Sequence, residues 1–154
     1  MTRRLFTMSI VPLAAEAAAP LRLSLEIVQP LGLRAMLRNT SKSTLTIVHD
    51  PFVQPSRLSL SVNGRAIKPA DMREVERYST TVSEDQMQRL EPGRSLEIFK
   101  ALVDRRERGA RIQWGPYEFD RLEGGVYSAR VDWVAAYPKA WTGKLASNTV
   151  KITL

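Results

Sequence analysis

Arginines interleaved with aromatic rings are the most chemically suggestive residues in this sequence. Arg105-Arg106-Glu107-Arg108-Gly109-Ala110-Arg111 is followed by Trp114 and Tyr117. Guanidinium groups pair with phosphate, and aromatic faces stack on bases and sugars. Arg105, Arg106, Arg108, Arg111 and Trp114 are therefore candidates for binding a polyanion or a glycan. The same run also reads as a solvated loop with one Trp packed at its edge. A second candidate of different chemistry is Tyr137-Pro138-Lys139-Ala140-Trp141-Thr142-Gly143. Tyr137 and Trp141 suit anchors for a protein partner, because loops at the end of a rigid scaffold are where such domains bind. Trp141 equally suits a plug over the open end of a core.

Residue sets for catalysis, metals and cofactors do not assemble. His49 is the only histidine and the chain has no cysteine. Asp50 is too close in sequence to orient the His49 ring as a triad acid does. One histidine and no thiolate argue against zinc. The carboxylates are dispersed, with Glu84-Asp85 the only adjacent pair, so neither a calcium loop nor a glycosidase pair stands out. Gly124-Gly125 precedes a strand pattern instead of a helix, which is wrong for a phosphate cradle. A non-enzymatic chain without cofactor or metal is the expectation.

At 154 residues, with 44% hydrophobic and 25% charged residues, the chain has the size and composition of one globular domain. Its formal charge of +7 favours acidic surroundings, but the excess is spread along the chain. The first twenty residues differ from the rest. Met1-Thr2-Arg3-Arg4 is a basic start, Leu5 to Ala15 is uncharged and mostly apolar, and Ala15-Glu16-Ala17 and Ala17-Ala18-Ala19 offer small-x-small cleavage sites. That is the plan of a secretory signal peptide over residues 1–19, too short for a permanent anchor. It predicts export to the periplasm or outside the cell, with no membrane span in a mature domain of residues 20–154; the alternative reading is a frayed N-terminal extension on a cytoplasmic protein. Export argues against nucleic acid as the partner.

The elements that must carry these residues are strands. Leu21, Leu23, Leu25 and Ile27 alternate with polar residues, as do Leu33, Ala35 and Leu37, and then Leu45 and Ile47. Leu58, Leu60 and Val62 run into Asn63-Gly64, a strong hairpin signal, with Ala66-Ile67 as the return. Residues 69–92 read as a long crossover. Pro69-Ala70-Asp71 could open helical turns through Arg77, and Ser83 to Gln86 has capping-box spacing ahead of Met87 and Leu90. Ser95 to Val103 is a strand whose inward phase switches between Ile98 and Phe99, as at a bulge. Asp104 to Arg111 reads as a charged loop. Val126 to Val134 alternates most clearly, with Tyr127, Ala129, Val131 and Trp133 inward. The last strand is Asn148 to Leu154.

About seven or eight short strands, with one short helical turn in the central crossover, predict an all-β sandwich. Leu122-Glu123-Gly124-Gly125-Val126-Tyr127 has the form of a tyrosine corner, in which a strand-start Tyr hydroxyl folds back onto upstream backbone, or of an ordinary inward Tyr after a Gly-Gly turn. The corner favours an immunoglobulin-like Greek-key topology.

Four segments together carry a resemblance: Asn39-Thr40-Ser41, Leu90-Glu91-Pro92-Gly93-Arg94-Ser95, Gly124-Gly125-Val126-Tyr127-Ser128-Ala129 and Ser147-Asn148-Thr149-Val150. In their order the chain resembles a diffuse group of exported bacterial immunoglobulin-like domains. These include the sandwich preceding the catalytic domain of deuterolysin-type zinc peptidases and, more loosely, BsuPI-type proteinase inhibitors. The matched positions are turns and strand starts, so no inhibitory or recognition residue carries over. The likeness implies a stand-alone module that binds or restrains another protein, a peptidase among the candidates. The alternative is a polyanion- or glycan-binding accessory domain using the basic loop.

Overall fold

The computed structural model describes residues 19–49, 56–71 and 83–154. The leader expected over residues 1–19 therefore lies, except for Ala19, outside the described residues, as do Asp50 and the turns expected over residues 72–77. The molecule is an all-β, sandwich-like fold. Where seven or eight strands were expected, the described residues form fourteen short ones in four sheets.

The first sheet has the order β1 (Leu21–Val28), β2 (Gly32–Asn39), β8 (Ser95–Leu102). The second runs β13 (Gly143–Ala146), β12 (Val126–Ala135), β4 (Arg57–Val62), β5 (Arg65–Ile67). β14 (Val150–Thr153) pairs with the other half of β12. All these pairs are antiparallel. The alternating apolar residues face one core. Leu21, Leu23, Leu25, Leu33, Ala35 and Leu37 from the first sheet meet Leu58, Leu60, Tyr127, Ala129, Val131 and Trp133 from the second.

Local chemistry explains several details. Asn63 and Gly64 both have positive φ (49° and 74°), as a two-residue hairpin turn matched to strand twist requires. In β8 the pairing passes from Met36–Glu97 to Ala35–Phe99, so Ile98 is the extra residue of a bulge and the inward phase switches there. Tyr127 donates its hydroxyl to the Glu123 carbonyl at 2.8 Å, the hydrogen bond of a tyrosine corner.

Three readings need correction. Residues 104–111 are not a loop. β9 (Asp104–Arg106) and β10 (Gly109–Trp114) form a hairpin around Glu107-Arg108, and β11 (Tyr117–Leu122) follows. With β6 (Ala70–Asp71) they make a third sheet of order β6-β11-β10-β9. It forms because Ala110, Ile112, Trp114, Tyr117, Phe119 and Leu122 alternate inward and extend the core. Ala70 and Asp71 are thus strand, not the start of a helix.

Second, Met87 to Leu90 is not the continuation of a helix but strand β7, paired with β3 (Leu45–Val48). A single 3-10 turn, Glu84–Gln86, precedes it, and Gln86 Oε1 accepts the Ser83 amide at 2.9 Å. Third, the last strand does not begin at Asn148 but is β14 (Val150–Thr153), and Ser147-Asn148-Thr149 joins it to a further strand, β13 (Gly143–Ala146).

Candidate functional site

The basic run is dispersed by the hairpin that carries it. Arg105 pairs across the ladder with buried Ala110, whereas Asp104 and Arg106 share the opposite strand phase with Arg111. On that outer face each cation meets a carboxylate. Arg106 donates from Nε to Asp104 Oδ2 at 2.9 Å. That hydrogen bond, aided by the charges of Asp104, Asp120 and Glu118, holds its guanidinium pKa above the ordinary value. Arg111 Nε lies 2.6 Å from Glu118 Oε1, off the line of a hydrogen bond, and its Nη2 donates to Gln113 Oε1 at 2.8 Å. Three carboxylates, Asp104, Glu118 and Asp120, thus face two arginines. Such a surface has no strong positive field to concentrate a polyanion.

Trp114 is not at the edge of this group either. It is 1% exposed, donates from Nε1 to the Ser56 hydroxyl at 2.9 Å, and meets Phe99 edge-on with ring centroids 4.7 Å apart. Its candidacy as a binding residue is therefore corrected to a core role. A flat indole in the same core cluster as Ile112 and Phe119, with Phe99 against it, has more to gain from burial than from solvent. Arg105 and Arg108 remain exposed. Arg108 lines a shallow hollow with Gly109, Arg121, Glu123 and Gly124. Arg121, which sequence reasoning passed over, adopts φ of 53°, where the β10–β11 register shifts.

The other candidate, residues 136–142, is a built loop. The Ala140 amide donates to the Tyr137 carbonyl at 3.1 Å, closing a turn over Pro138-Lys139. Proline suits that position because its ring already holds the φ the turn needs. The Trp141 amide donates to the Thr46 carbonyl on β3 at 2.8 Å. The Trp141 ring stacks on Trp133, centroids 5.8 Å apart and planes 19° apart. A Cβ on Gly143 would meet that ring at 2.6 Å, so the indole lies directly on the glycine. Trp141 is thus half-buried and packed against the core, covering its end, while Pro138 and Lys139 stand exposed and Tyr137 is half-buried beside them. Tyr137 and Trp141 lie in this one loop, with Trp141 as its base and Pro138-Lys139 as its tip.

His49 follows β3 and is half-buried. Among the described residues there is no group of three or more His, Asp or Glu placed to hold a metal ion, and no helix long and apolar enough to cross a membrane. No family model, no curated protein and no solved structure matches this chain.

Proposed function

We propose that the chain is an exported immunoglobulin-like Greek-key module that docks on another protein through residues 136–142, with a secreted peptidase as the partner class. The topology is supported by the two sheet orders, β1-β2-β8 and β5-β4-β12 followed by β13 and β14. Both are orders that a Greek-key sandwich of this type uses. The tyrosine corner at the start of β12 adds to that support.

The observation that carries the docking reading is the anchoring of the loop. Trp141, held by the Thr46 carbonyl and the Trp133 ring, leaves the Pro138-Lys139 tip little freedom to lose when a partner binds. The tip is cationic and exposed, so it suits an acidic hollow on the partner. The exported state, with a leader over residues 1–19, belongs to the same reading and rests on the sequence.

The test titrates the chain into a panel of secreted zinc and serine endopeptidases, following residual activity and co-elution. Stoichiometric binding to one of them is expected, weakened by about tenfold or more in Lys139→Glu. That side chain is exposed, so the substitution leaves the fold intact. If no peptidase of the panel is bound or inhibited, the peptidase assignment fails. Binding that ignores Lys139→Glu would remove the loop from the interface.

A further inference from the structure

The outer face of the β1-β2-β8 sheet carries charge that its own residues match unevenly. Its side chains fall into rows across the three strands. Arg22, Arg38 and Ser95 form one row, Ser24, Met36 and Glu97 the next, and Glu26, Arg34 and Lys100 the third. Both carboxylates are drawn to Arg34. Its Nε and Nη2 donate to Glu26 Oε2 at 3.2 and 2.7 Å, and its Nη1 lies 4.0 Å from Glu97 Oε2. The first row has no such counter-charge. Arg22 and Arg38 are direct cross-strand partners, yet neither forms an ion pair among the described residues. Like charges directly opposite on antiparallel strands repel. The two arginines also line one cavity of about 240 Å³ with Ser24, Met36, Ser95 and Glu26.

We infer that Arg22 and Arg38 form a binding site for a single tetrahedral oxyanion, the phosphate or sulfate ester group of a small molecule or saccharide. Two guanidinium forks offer more donors than a carboxylate's two oxygens can use well, whereas a tetrahedral group has three or four oxygens to accept from both forks. The Ser24 and Ser95 hydroxyls supply neutral donors beside them. A bound anion would also cancel the repulsion across the ladder. Glu26 sets the limit of the site. Its carboxylate, engaged by Arg34, stands at the cavity's edge, which admits one ester group and turns away an extended polyanion. This site lies on the sheet face and is independent of the 136–142 loop.

The experiment measures thermal unfolding and amide chemical shifts of the whole chain in sodium phosphate and sodium sulfate against sodium chloride at matched ionic strength. A saturable rise in Tm with the two oxyanions but not with chloride is expected, since a ligand that binds the folded state stabilises it. The largest shifts should fall at residues 22, 24, 38 and 95. Arg22→Gln and Arg38→Gln should each raise Tm in chloride, by removing the opposed charge, and weaken oxyanion binding by about tenfold or more. Arg130→Gln, on the other sheet, should do neither. Arg38→Lys, which keeps the charge without the fork, should bind with intermediate strength and serves if the Gln variants do not fold. O-phosphoserine and N-acetylglucosamine 6-sulfate then distinguish the two sources of the ester. Equal responses to phosphate, sulfate and chloride would reduce the effect to charge screening and overturn the proposal. So would oxyanion binding that survives in both Gln variants.

Discussion

Asn39 is fully buried, and every polar atom it has is matched. Its Nδ2 donates to the Ser43 and Leu90 carbonyls, both at 2.8 Å, and its Oδ1 accepts from the Ser41 amide and hydroxyl. Its own amide and carbonyl pair with Arg94 and Gly93. One residue therefore joins the bend after β2, through its side chain, to the end of β7 and, through its backbone, to the Pro92-Gly93 turn before β8, where the paired strands leave one sheet for another. Asn39→Ala would take a donor from the buried Leu90 carbonyl and the acceptor from the Ser41 amide, and should lower stability by about 3 kcal/mol, measured by denaturant unfolding. Asn39→Asp, which has no amide donors, should come close to the same loss. In the sequence Asn39-Thr40-Ser41 reads as a polar turn, whereas Asn39 is the last residue of β2 and the bend follows it. Its burial was not legible, because that depends on a carbonyl 51 residues away.

At the scale of elements, the two candidate sites fared differently for physical reasons. The alternation of Ala110, Ile112 and Trp114 was visible, but four arginines within seven residues obscured it, since such charge density suggests a solvated loop. The hairpin tolerates that density because Arg106 and Arg111 have carboxylates on the same face. The 136–142 loop depends instead on the absence of a side chain at Gly143. Gly143→Ala should push the Trp141 ring off Trp133, as the added carbon would sit 2.6 Å from Cη2. A loss of about 1–3 kcal/mol is expected, together with a weaker near-ultraviolet circular dichroism signal from the stacked indoles. Retention of both the signal and the stability would show that the loop has another anchor.

For the molecule as a whole, what matters is how the sheets are joined. β14 pairs with β12 one residue out of step with β13, Ala146 facing Asp132 but Val150 facing Ala129. The extra residue bulges the chain at Ser147-Asn148-Thr149. Ser147 stays on Val131, its amide donating to the Val131 carbonyl at 2.8 Å and its hydroxyl accepting from the Val131 amide at 2.9 Å in place of a backbone carbonyl. Asn148 reaches the other sheet, where its amide accepts from Leu25 N–H at 2.9 Å and donates to Leu25 C=O at 3.1 Å. It thereby imitates a neighbouring strand at the edge of β1 and shields that edge from pairing with another chain. Asn148→Ala should cost about 1–2 kcal/mol and speed hydrogen exchange at Leu25 far more than at Val131. Equal acceleration at both would mean that the bulge itself had collapsed.

The phases of the strands over residues 21–62 and 126–134, the Asn63-Gly64 turn, the tyrosine-corner geometry and the core position of Trp133 were determined by the sequence. Each is set by residues within a few positions of one another: alternation selects a buried face, and a turn's φ values select its residue types. The tertiary structure alone decided that Trp114 is core, that the arginines of 105–111 fall on two faces, and that Trp141 covers the end of the core. It also placed Arg22 opposite Arg38. Those outcomes depend on Ser56, Glu118, Thr46 and the register of β1 on β2, contacts distant along the chain, and local pattern holds no record of which distant residue will supply a hydrogen bond, a counter-charge or a ring.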